Sequence, residues 1–259
     1  MIDPGAPLPS ELSGKVIAIT GAASGIGFAT SLLAARSGAA GIVMVDRDAD
    51  ALARSAAEVE ATGANVVSWA ASVTKDGVAD EIVGLAVQHF GRIDAAVNGA
   101  GIEGGTTPLD TCTDEQFDIV IDVNLRAVFR CVRAQLRQMY KQSSGSIVNI
   151  SSASVFGVHP VMAPYIVSKA GVLTLSQVAA KEAGPRGVRV NAICPGLTDT
   201  PMLRASIDDR ESTNEIASRI PLGRFGRPSE LAEAIIWLCS DKSSFTNGTG
   251  LVVDGGRVG

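Results

Sequence analysis

The 259-residue sequence lacks the features that mark nucleic-acid-binding and membrane-spanning proteins. The chain has 22 Lys and Arg and 27 Asp and Glu, and the resulting net charge of −5 argues against a large surface for a phosphate backbone. No apolar run approaches the roughly 18 residues that a membrane-spanning helix needs. We therefore expect neither nucleic acid nor a membrane as a partner.

Cysteine is also scarce, and its spacing matches no common metal or redox motif. Cys112, Cys131, Cys194 and Cys239 are far apart and form no C-x-x-C pair. We expect four separate reduced thiols, no metal site and a cytoplasmic location. The N-terminus has neither the basic start nor the apolar segment of a secretory signal, and we interpret residues 1–9 as a flexible arm.

Aromatic residues make up only 4% of the chain, whereas hydrophobic residues make up 46%, which predicts a core of aliphatic side chains. Short apolar runs alternate with longer helical patterns, as is typical of parallel βαβ units. Strands are predicted at residues 15–20, 41–46, 65–70, 93–98, 147–150, 189–194 and 251–253, and helices at 25–37, 49–61, 75–90, 113–141, 163–183 and 228–240. The predicted fold is α/β: one domain over residues 10–259, with a Rossmann-type doubly wound parallel sheet of about seven strands and helices on both faces.

A glycine-rich turn lies between the first predicted strand and the first predicted helix. Residues 20–27 read TGAASGIG, with Gly21, Gly25 and Gly27 in a G-x-x-x-G-x-G spacing. Glycine allows a positive φ and lets a ligand approach the backbone closely. Because the helix N-terminus also offers free N–H groups, the turn is suited to binding a pyrophosphate.

An acidic residue, Asp46, ends the second predicted strand. A carboxylate at this position can bind both hydroxyls of a ribose and would repel a 2′-phosphate. The sequence therefore favours NAD over NADP as the cofactor. The neighbouring Arg47 supports the opposite choice, since a guanidinium can pair with a phosphate.

A hydroxyl, a phenol and an ammonium group come together later in the chain. Tyr165 and Lys169 lie at i and i+4 of one predicted helix, and Ser152 follows the fifth predicted strand. Oxidation of an alcohol needs a base, and a phenol with an ordinary pKa of about 10 becomes a better one beside an ammonium. We expect Lys169, together with a positive nicotinamide ring, to lower the pKa of Tyr165.

Taken together, these motifs resemble the short-chain dehydrogenase/reductase family over nearly the whole chain. The resemblance rests on residues 20–27, Asp46, NGAG at 98–101, Asn124 in DVNL, Ser152, Y-x-x-x-K at 165–169 and PG at 195–196. It implies a catalytic group of Asn124, Ser152, Tyr165 and Lys169. In that group Asn124 would hold a water that links Lys169 to solvent.

The resemblance also implies the residues that bind the cofactor. They are Gly21, Ser24, Ile26, Gly27, Asp46, Arg47, Val73, Asn98, Ala100, Gly101, Tyr165, Lys169, Pro195, Gly196, Thr198 and Thr200. Two positions depart from the family pattern: Ser72 stands where an Asp commonly bonds the adenine, and Gly99 replaces the second Asn of N-N-A-G. Both departures affect the expected adenine contacts and leave the chemistry untouched.

The sequence thus predicts an oxidoreductase that transfers a hydride between NAD(H) and a secondary alcohol or ketone. Apolar loop residues, with a substrate-binding loop at about 196–227, predict a hydrophobic or cyclic substrate, and Glu103 and Thr106 would add a polar edge. The apolar residues are Val155, Phe156, Val158, Pro160, Val161, Met162, Met202, Leu203 and Ile207. Two alternatives stay open: an NADP-dependent 3-oxoacyl-thioester reductase and a non-catalytic NAD-binding protein.

The two long predicted helices, 113–141 and 163–183, are expected to carry apolar residues on a second face. We assign Val128, Cys131, Val172 and Leu175 to this face. An apolar face without a partner in its own chain predicts a homo-oligomer, and the family resemblance implies a tetramer.

Overall fold

The computed structural model describes residues 11–207 and 213–258, so the predicted arm at 1–9 lies outside the described residues. Seven strands form one parallel sheet in the order β3-β2-β1-β4-β5-β6-β7. The strands are β1 Val16–Thr20, β2 Gly41–Asp46, β3 Val66–Ala70, β4 Ala95–Asn98, β5 Gly145–Ile150, β6 Val188–Pro195 and β7 Gly250–Val253. The predicted fold class and its single domain are confirmed.

Helices cover both faces of the sheet. In the described residues they are α1 Gly25–Arg36, α2 Ala49–Glu60, α3 Val78–Phe90, α4 Asp114–Ile121, α5 Ala127–Gln142, α6 Ala163–Ala183, α7 Pro201–Ser206, α8 Thr213–Ser218 and α9 Pro228–Cys239. Helices α3, α5 and α6 pack on one face, and α1, α2 and α9 pack on the other. In the part of the chain that the structure describes, no helix is long and apolar enough to cross a membrane.

Successive side chains of each strand supply two separate cores, because they point to opposite faces of the sheet. In β1, Ala18 belongs to the core under α3, α5 and α6, whereas Ile17 and Ile19 belong to the core under α1, α2 and α9. All three are almost fully buried. Burial on both faces explains why the strands read as continuous apolar runs in the sequence.

The long helical segment predicted at 113–141 is interrupted in the structure. Its capping box is confirmed: the Thr113 hydroxyl accepts from the backbone of Gln116, whose side chain accepts from the backbone of Thr113. Residues Asp122–Arg126 then form a π-helical turn between α4 and α5. Such single turns widen a helix locally and often occur at functional sites.

The prediction that Val128, Cys131 and Val172 occupy a second, unpartnered face was wrong. All three are buried in the core of this chain, and Leu175 packs against the same core. The two helices still carry exposed apolar side chains, at other positions. These are Phe117, Ile119, Phe129, Val167 and Val178.

The sheet order reverses direction between β1 and β4. Strands β2 and β3 lie on one side of β1, and the later strands continue from β4 on the other. In open parallel sheets, ligands bind at such a switch point, beyond the carboxyl ends of the strands. The fold therefore places a crevice beside the glycine-rich turn that follows β1.

Candidate active site

A cavity of about 730 Å³ opens at this crevice. Its volume lies within the range typical of small-molecule and cofactor pockets. Sixteen of the predicted site residues line it: Gly21, Ser24, Ile26, Gly27, Asp46, Arg47, Val73, Ala100, Gly101, Ser152, Tyr165, Lys169, Pro195, Gly196, Thr198 and Thr200. Two predicted site residues, Asn98 and Asn124, do not line the cavity and are buried.

The turn after β1 is built from glycines because neighbouring backbone leaves no room for side chains. Gly21 has φ +72°, and a Cβ there would lie 2.8 Å from the carbonyl carbon of Gly99. A Cβ at Gly27 would lie 2.0 Å from the Gly21 oxygen. Ser24 begins α1 without a side-chain capping bond, and the first turn of α1 holds no acidic residue. The N–H groups and positive dipole of α1 are thus available to an anionic group in the cavity.

Gly99 has a steric explanation in the structure. A Cβ at this position would lie 2.8 Å from the backbone oxygen of Thr20 and 3.0 Å from a methyl of Ile150. The Thr20 hydroxyl also accepts from the backbone N–H of Gly99, at 3.1 Å. Here β1 and the segment after β4 are too close for the asparagine that is usual at this position.

Asp46 faces the cavity and also supports the glycine turn. Its Oδ2 accepts from the backbone N–H of Ala23 at 3.1 Å, and its Oδ1 accepts from the N–H of Asp48 at 3.1 Å. A carboxylate can accept about four hydrogen bonds, so each oxygen keeps a free acceptor position. The same end of the cavity includes Arg47 and Ser72, whose hydroxyl lies 2.8 Å from that of Thr74.

Asn98 is buried and its side chain does not line the cavity, so its expected contact with the ribose stays a prediction. Its Nδ2 donates to Gln135 Oε1 at 3.0 Å and to Asn149 Oδ1 at 2.8 Å. Its Oδ1 accepts from Gln135 Nε2 at 2.8 Å, and Asn149 in turn donates to the Ser176 hydroxyl at 2.8 Å. The alternation of side chains along β4 directs Asn98 toward α5, where these partners are buried.

Asn124 lies in the π-helical turn and is completely buried. Its Oδ1 accepts from the N–H of Ile102 at 2.8 Å, and its Nδ2 donates to the Ile102 oxygen at 2.8 Å and to the Ser168 hydroxyl at 3.1 Å. The side chain therefore joins the segment after β4 to α6. A Cβ on Gly101 would lie 3.2 Å from Asn124 Oδ1 and 3.4 Å from Lys169 Nζ, which places both polar atoms near Gly101.

The predicted catalytic side chains of Ser152, Tyr165 and Lys169 come from the end of β5 and the start of α6. Ser152 begins a short 3-10 turn, and α6 begins with Pro164 in its first turn, a position that suits proline. Lys169 Nζ donates to the backbone oxygen of Ile150 at 2.9 Å and lies 5.8 Å from the centre of the Tyr165 ring. Ser152, Tyr165 and Lys169 thus share one wall of the cavity.

The pKa of Tyr165 was expected to be lowered, but in the free protein it is raised. Burial raises the pKa of Tyr165, a hydrogen bond with Ser152 acts in the opposite direction, and the carboxylate of Glu103 raises it further. Burial also lowers the pKa of Lys169 to about 8. The sequence could not show that Lys169 is almost fully buried, nor that its ammonium is bonded to a carbonyl oxygen.

Two further polar residues that line the cavity, Ser154 and Arg257, were not predicted from the sequence. Ser154 donates to Ser152 Oγ through its hydroxyl at 2.8 Å and through its N–H at 3.2 Å. The only sequence signal for Ser154 is the serine spacing of i and i+2 after a strand, which is common in turns. Arg257, near the end of the chain, also lines the cavity and lies 3.3 Å from His159 Nε2, and no sequence motif marks it.

Only part of the predicted apolar substrate surface faces the cavity. Met162, Met202 and Leu203 line it, together with Glu103, His159 and Ser206. Phe156, Val158 and Val161 are instead exposed on the loop that follows β5. The substrate end of the cavity is therefore apolar with a polar edge, and Glu103 belongs to that edge.

Comparisons with known proteins agree with this architecture. A family model described as enoyl-(acyl carrier protein) reductase matches residues 21–257. The chain is 42% identical to 3-oxoacyl-[acyl-carrier-protein] reductase FabG of Thermotoga maritima, with 96% of this chain and 99% of that protein covered. It is also 42% identical to the A-factor type gamma-butyrolactone 1′-reductase of Streptomyces virginiae, with 95% and 96% covered. The crystal structure of levodione reductase superposes with a TM-score of 0.91 at 35% identity, over 95% of this chain and 98% of that one.

Proposed function

The chain belongs to the short-chain dehydrogenase/reductase family and is an oxidoreductase that acts on alcohols and ketones, and from this premise we propose its cofactor, its acid/base group and its substrate class. Family members transfer a hydride with a nicotinamide cofactor. The glycine-lined crevice fits such a cofactor, because side chains are absent where its phosphates would meet the N-terminus of α1.

We propose NAD as the cofactor. The carboxylate of Asp46 borders the cavity beyond β2, where it would accept from ribose hydroxyls and repel a 2′-phosphate. In the turn itself, Ser24 stands where a basic residue would favour NADP. The nicotinamide ring would lie beside residues 195–200, and when bound it exchanges a hydride with the reacting carbon of the substrate.

Tyr165 would act as the general acid/base. In oxidation its phenolate accepts the hydroxyl proton of the alcohol while the Ser152 hydroxyl donates to the same substrate oxygen. Lys169 as an ammonium stabilises the phenolate, and it relays the proton of Tyr165 by releasing one of its own protons toward solvent. In reduction the proton moves from Tyr165 to the carbonyl oxygen. The observation that carries this assignment is the meeting of Ser152, Tyr165 and Lys169 on one cavity wall.

The substrate we favour is a hydrophobic, cyclic secondary alcohol or ketone. Met162, Met202 and Leu203 line the substrate end. The segment at about 196–227, of which residues 208–212 lie outside the described residues, would form the substrate-binding loop. The Streptomyces relative is named for a gamma-butyrolactone, which is a ring compound, and this agrees with a cyclic substrate.

A second candidate is an NADP-dependent 3-oxoacyl-thioester reductase. The identity of 42% to FabG supports it. Initial rates with NADH and NADPH, each on cyclic ketones and on 3-oxoacyl thioesters, separate the two candidates. Preference for NADPH and the thioester would contradict the first proposal.

Replacement of Tyr165 by Phe tests the mechanism. The variant should lose turnover by a factor on the order of 10² or more, because it lacks the proton donor, while NAD binding stays intact. Calorimetric titration with NAD checks the second part. Turnover close to that of the original protein would overturn the assignment of Tyr165.

We also propose that the chain forms a homotetramer in the cytoplasm. Exposed apolar side chains on α4, α5 and α6 would be covered by a second copy. The four unpaired cysteines suit a reducing compartment. Light scattering after size exclusion measures the assembly, and a monomer mass would contradict this proposal.

A further inference from the structure

We propose that Ser154 is a positioning residue for the reaction, because it fixes the direction in which the Ser152 hydroxyl donates its proton. The structure gives Ser154 two bonds to the same atom, Ser152 Oγ. Its hydroxyl donates at 2.8 Å and its backbone N–H donates at 3.2 Å. Ser154 also lines the cavity beside Tyr165.

A hydroxyl oxygen has two acceptor positions and one proton to donate. Ser154 fills both acceptor positions of Ser152 Oγ. The Ser152 proton is then directed away from Ser154, toward the cavity, where Tyr165 and the substrate oxygen would lie. Ser152 therefore enters the reaction as a donor with a fixed orientation, and no hydroxyl rotation is needed at each turnover.

Before substrate binds, Ser152 donates this proton to Tyr165, and once substrate is bound it would donate the same proton to the substrate oxygen. The bond between Ser152 and Tyr165 lowers the pKa of the phenol, against the effects of burial and of Glu103. If Ser154 no longer holds Ser152, the Ser152 hydroxyl can rotate, and its bond to the phenolate weakens. The pKa of Tyr165 should then rise.

The local fold allows the hydroxyl of Ser154 to be removed by itself. Ser154→Ala keeps the backbone N–H that bonds to Ser152 Oγ and caps the 3-10 turn. Ser154→Thr restores a hydroxyl at the same position. Ser229→Ala makes the same chemical change at an exposed position on α9 and serves as the matched control.

The kinetic experiment compares pH profiles of kcat/KM for alcohol oxidation in these variants. Loss of one neutral hydrogen bond predicts that Ser154→Ala lowers kcat/KM about two- to tenfold and moves the acid limb of the profile to higher pH. Ser154→Thr should restore both, and Ser229→Ala should change neither. This arm rests on the proposed function, since it requires turnover.

A second experiment measures the pKa of the Tyr165 phenol without requiring turnover. The chain has two tyrosines, and Tyr140→Phe leaves Tyr165 as the single reporter. The ring of Tyr140 stacks at 3.6 Å under the guanidinium of Arg186, a contact that Phe retains. In this background the tyrosinate absorbance should appear at higher pH after Ser154→Ala, while circular dichroism shows that the fold is intact.

The results separate the two hypotheses. If the parent protein oxidises or reduces nothing on the panel, the proposed function fails, and the tyrosinate titration alone decides the role of Ser154. Coincident titrations with and without Ser154→Ala would overturn the inference. So would a loss of kcat/KM with an unchanged acid limb, because that result assigns Ser154 to packing.

Discussion

At the scale of single residues, Glu103 influences the chemistry from outside the Ser-Tyr-Lys group. Its carboxylate is half-buried at the substrate edge of the cavity, and its negative charge raises the pKa of Tyr165. The burial of Glu103 raises its own pKa as well. The position that suits Glu103 for binding a donor group of the substrate therefore also opposes formation of the phenolate.

Glu103→Gln should lower the pKa of Tyr165. Removing a negative charge favours the phenolate, so the acid limb of the pH profile for alcohol oxidation should move to lower pH. Reduction requires the protonated phenol, so the alkaline limb of the pH profile for ketone reduction should also move to lower pH. Steady-state profiles in both directions measure these shifts. Glu58→Gln, on the exposed face of α2, should leave the profile in place, and a move to higher pH in Glu103→Gln would contradict the prediction.

The sequence predicted which polar residues meet on the cavity wall but not how they are held there. Ser152, Tyr165 and Lys169 were found because their residue types and spacing reflect the reaction itself. The bonds of Asn98 to Gln135 and Asn149 could not be predicted, because the direction of a side chain at a strand end depends on the helix packed beneath it. Ser154 was missed because its role depends on one hydroxyl orientation, which no pattern of residue types records.

At the scale of secondary structure, the turn between β1 and α1 depends on the absence of side chains. The predicted glycine spacing is explained by short distances to backbone atoms, which cannot move aside as a side-chain tip can. Most strand and helix bounds were predicted closely, since buried parallel strands are apolar throughout and glycines end several helices. The π-helical turn at Asp122–Arg126 was not predicted, because its residues continue an ordinary helical pattern.

Gly27→Ala should destabilise this turn and reduce cofactor binding. The added Cβ would lie 2.0 Å from the Gly21 oxygen, so the turn must shift, at a cost of about 1–3 kcal/mol or more. Thermal unfolding and calorimetric titration with NAD measure the two effects.

Gly84→Ala is the matched control for that substitution. Gly84 lies within α3, and a Cβ there meets nothing within 4 Å. The change should raise the free energy of unfolding by up to about 1 kcal/mol, because alanine is the better helix former. Equal stability of the two variants would show that the turn tolerates a side chain at Gly27.

At the scale of the whole molecule, buried and exposed apolar residues occur on the same helices, and sequence periodicity did not separate them. Val128 and Cys131 belong to the core, whereas the side chain of Phe129, which directly follows Val128 on α5, is 45% exposed. Helix periodicity assigns a face only when the direction of the core is known. The exposed set therefore had to be taken from the structure.

Phe129→Glu should weaken the proposed association between copies. A charge placed in an apolar contact must be desolvated, so the mass in light scattering should fall toward that of the monomer at micromolar concentration. Leu109→Glu changes an equally apolar, 76% exposed residue outside these helices and should leave the mass unchanged. An unaltered mass in Phe129→Glu would place the contact elsewhere.

Three buried amides and one buried hydroxyl beneath the cavity also constrain how this sequence can evolve. Asn98, Gln135, Asn149 and Ser176 each complete the hydrogen bonds of a neighbour. An apolar substitution at one of them leaves a buried polar group of another without a hydrogen-bond partner, which lowers the free energy of unfolding by about 1–3 kcal/mol. Single apolar substitutions at these four positions are therefore selected against. Related sequences that differ at one of them should differ at its hydrogen-bond partners as well.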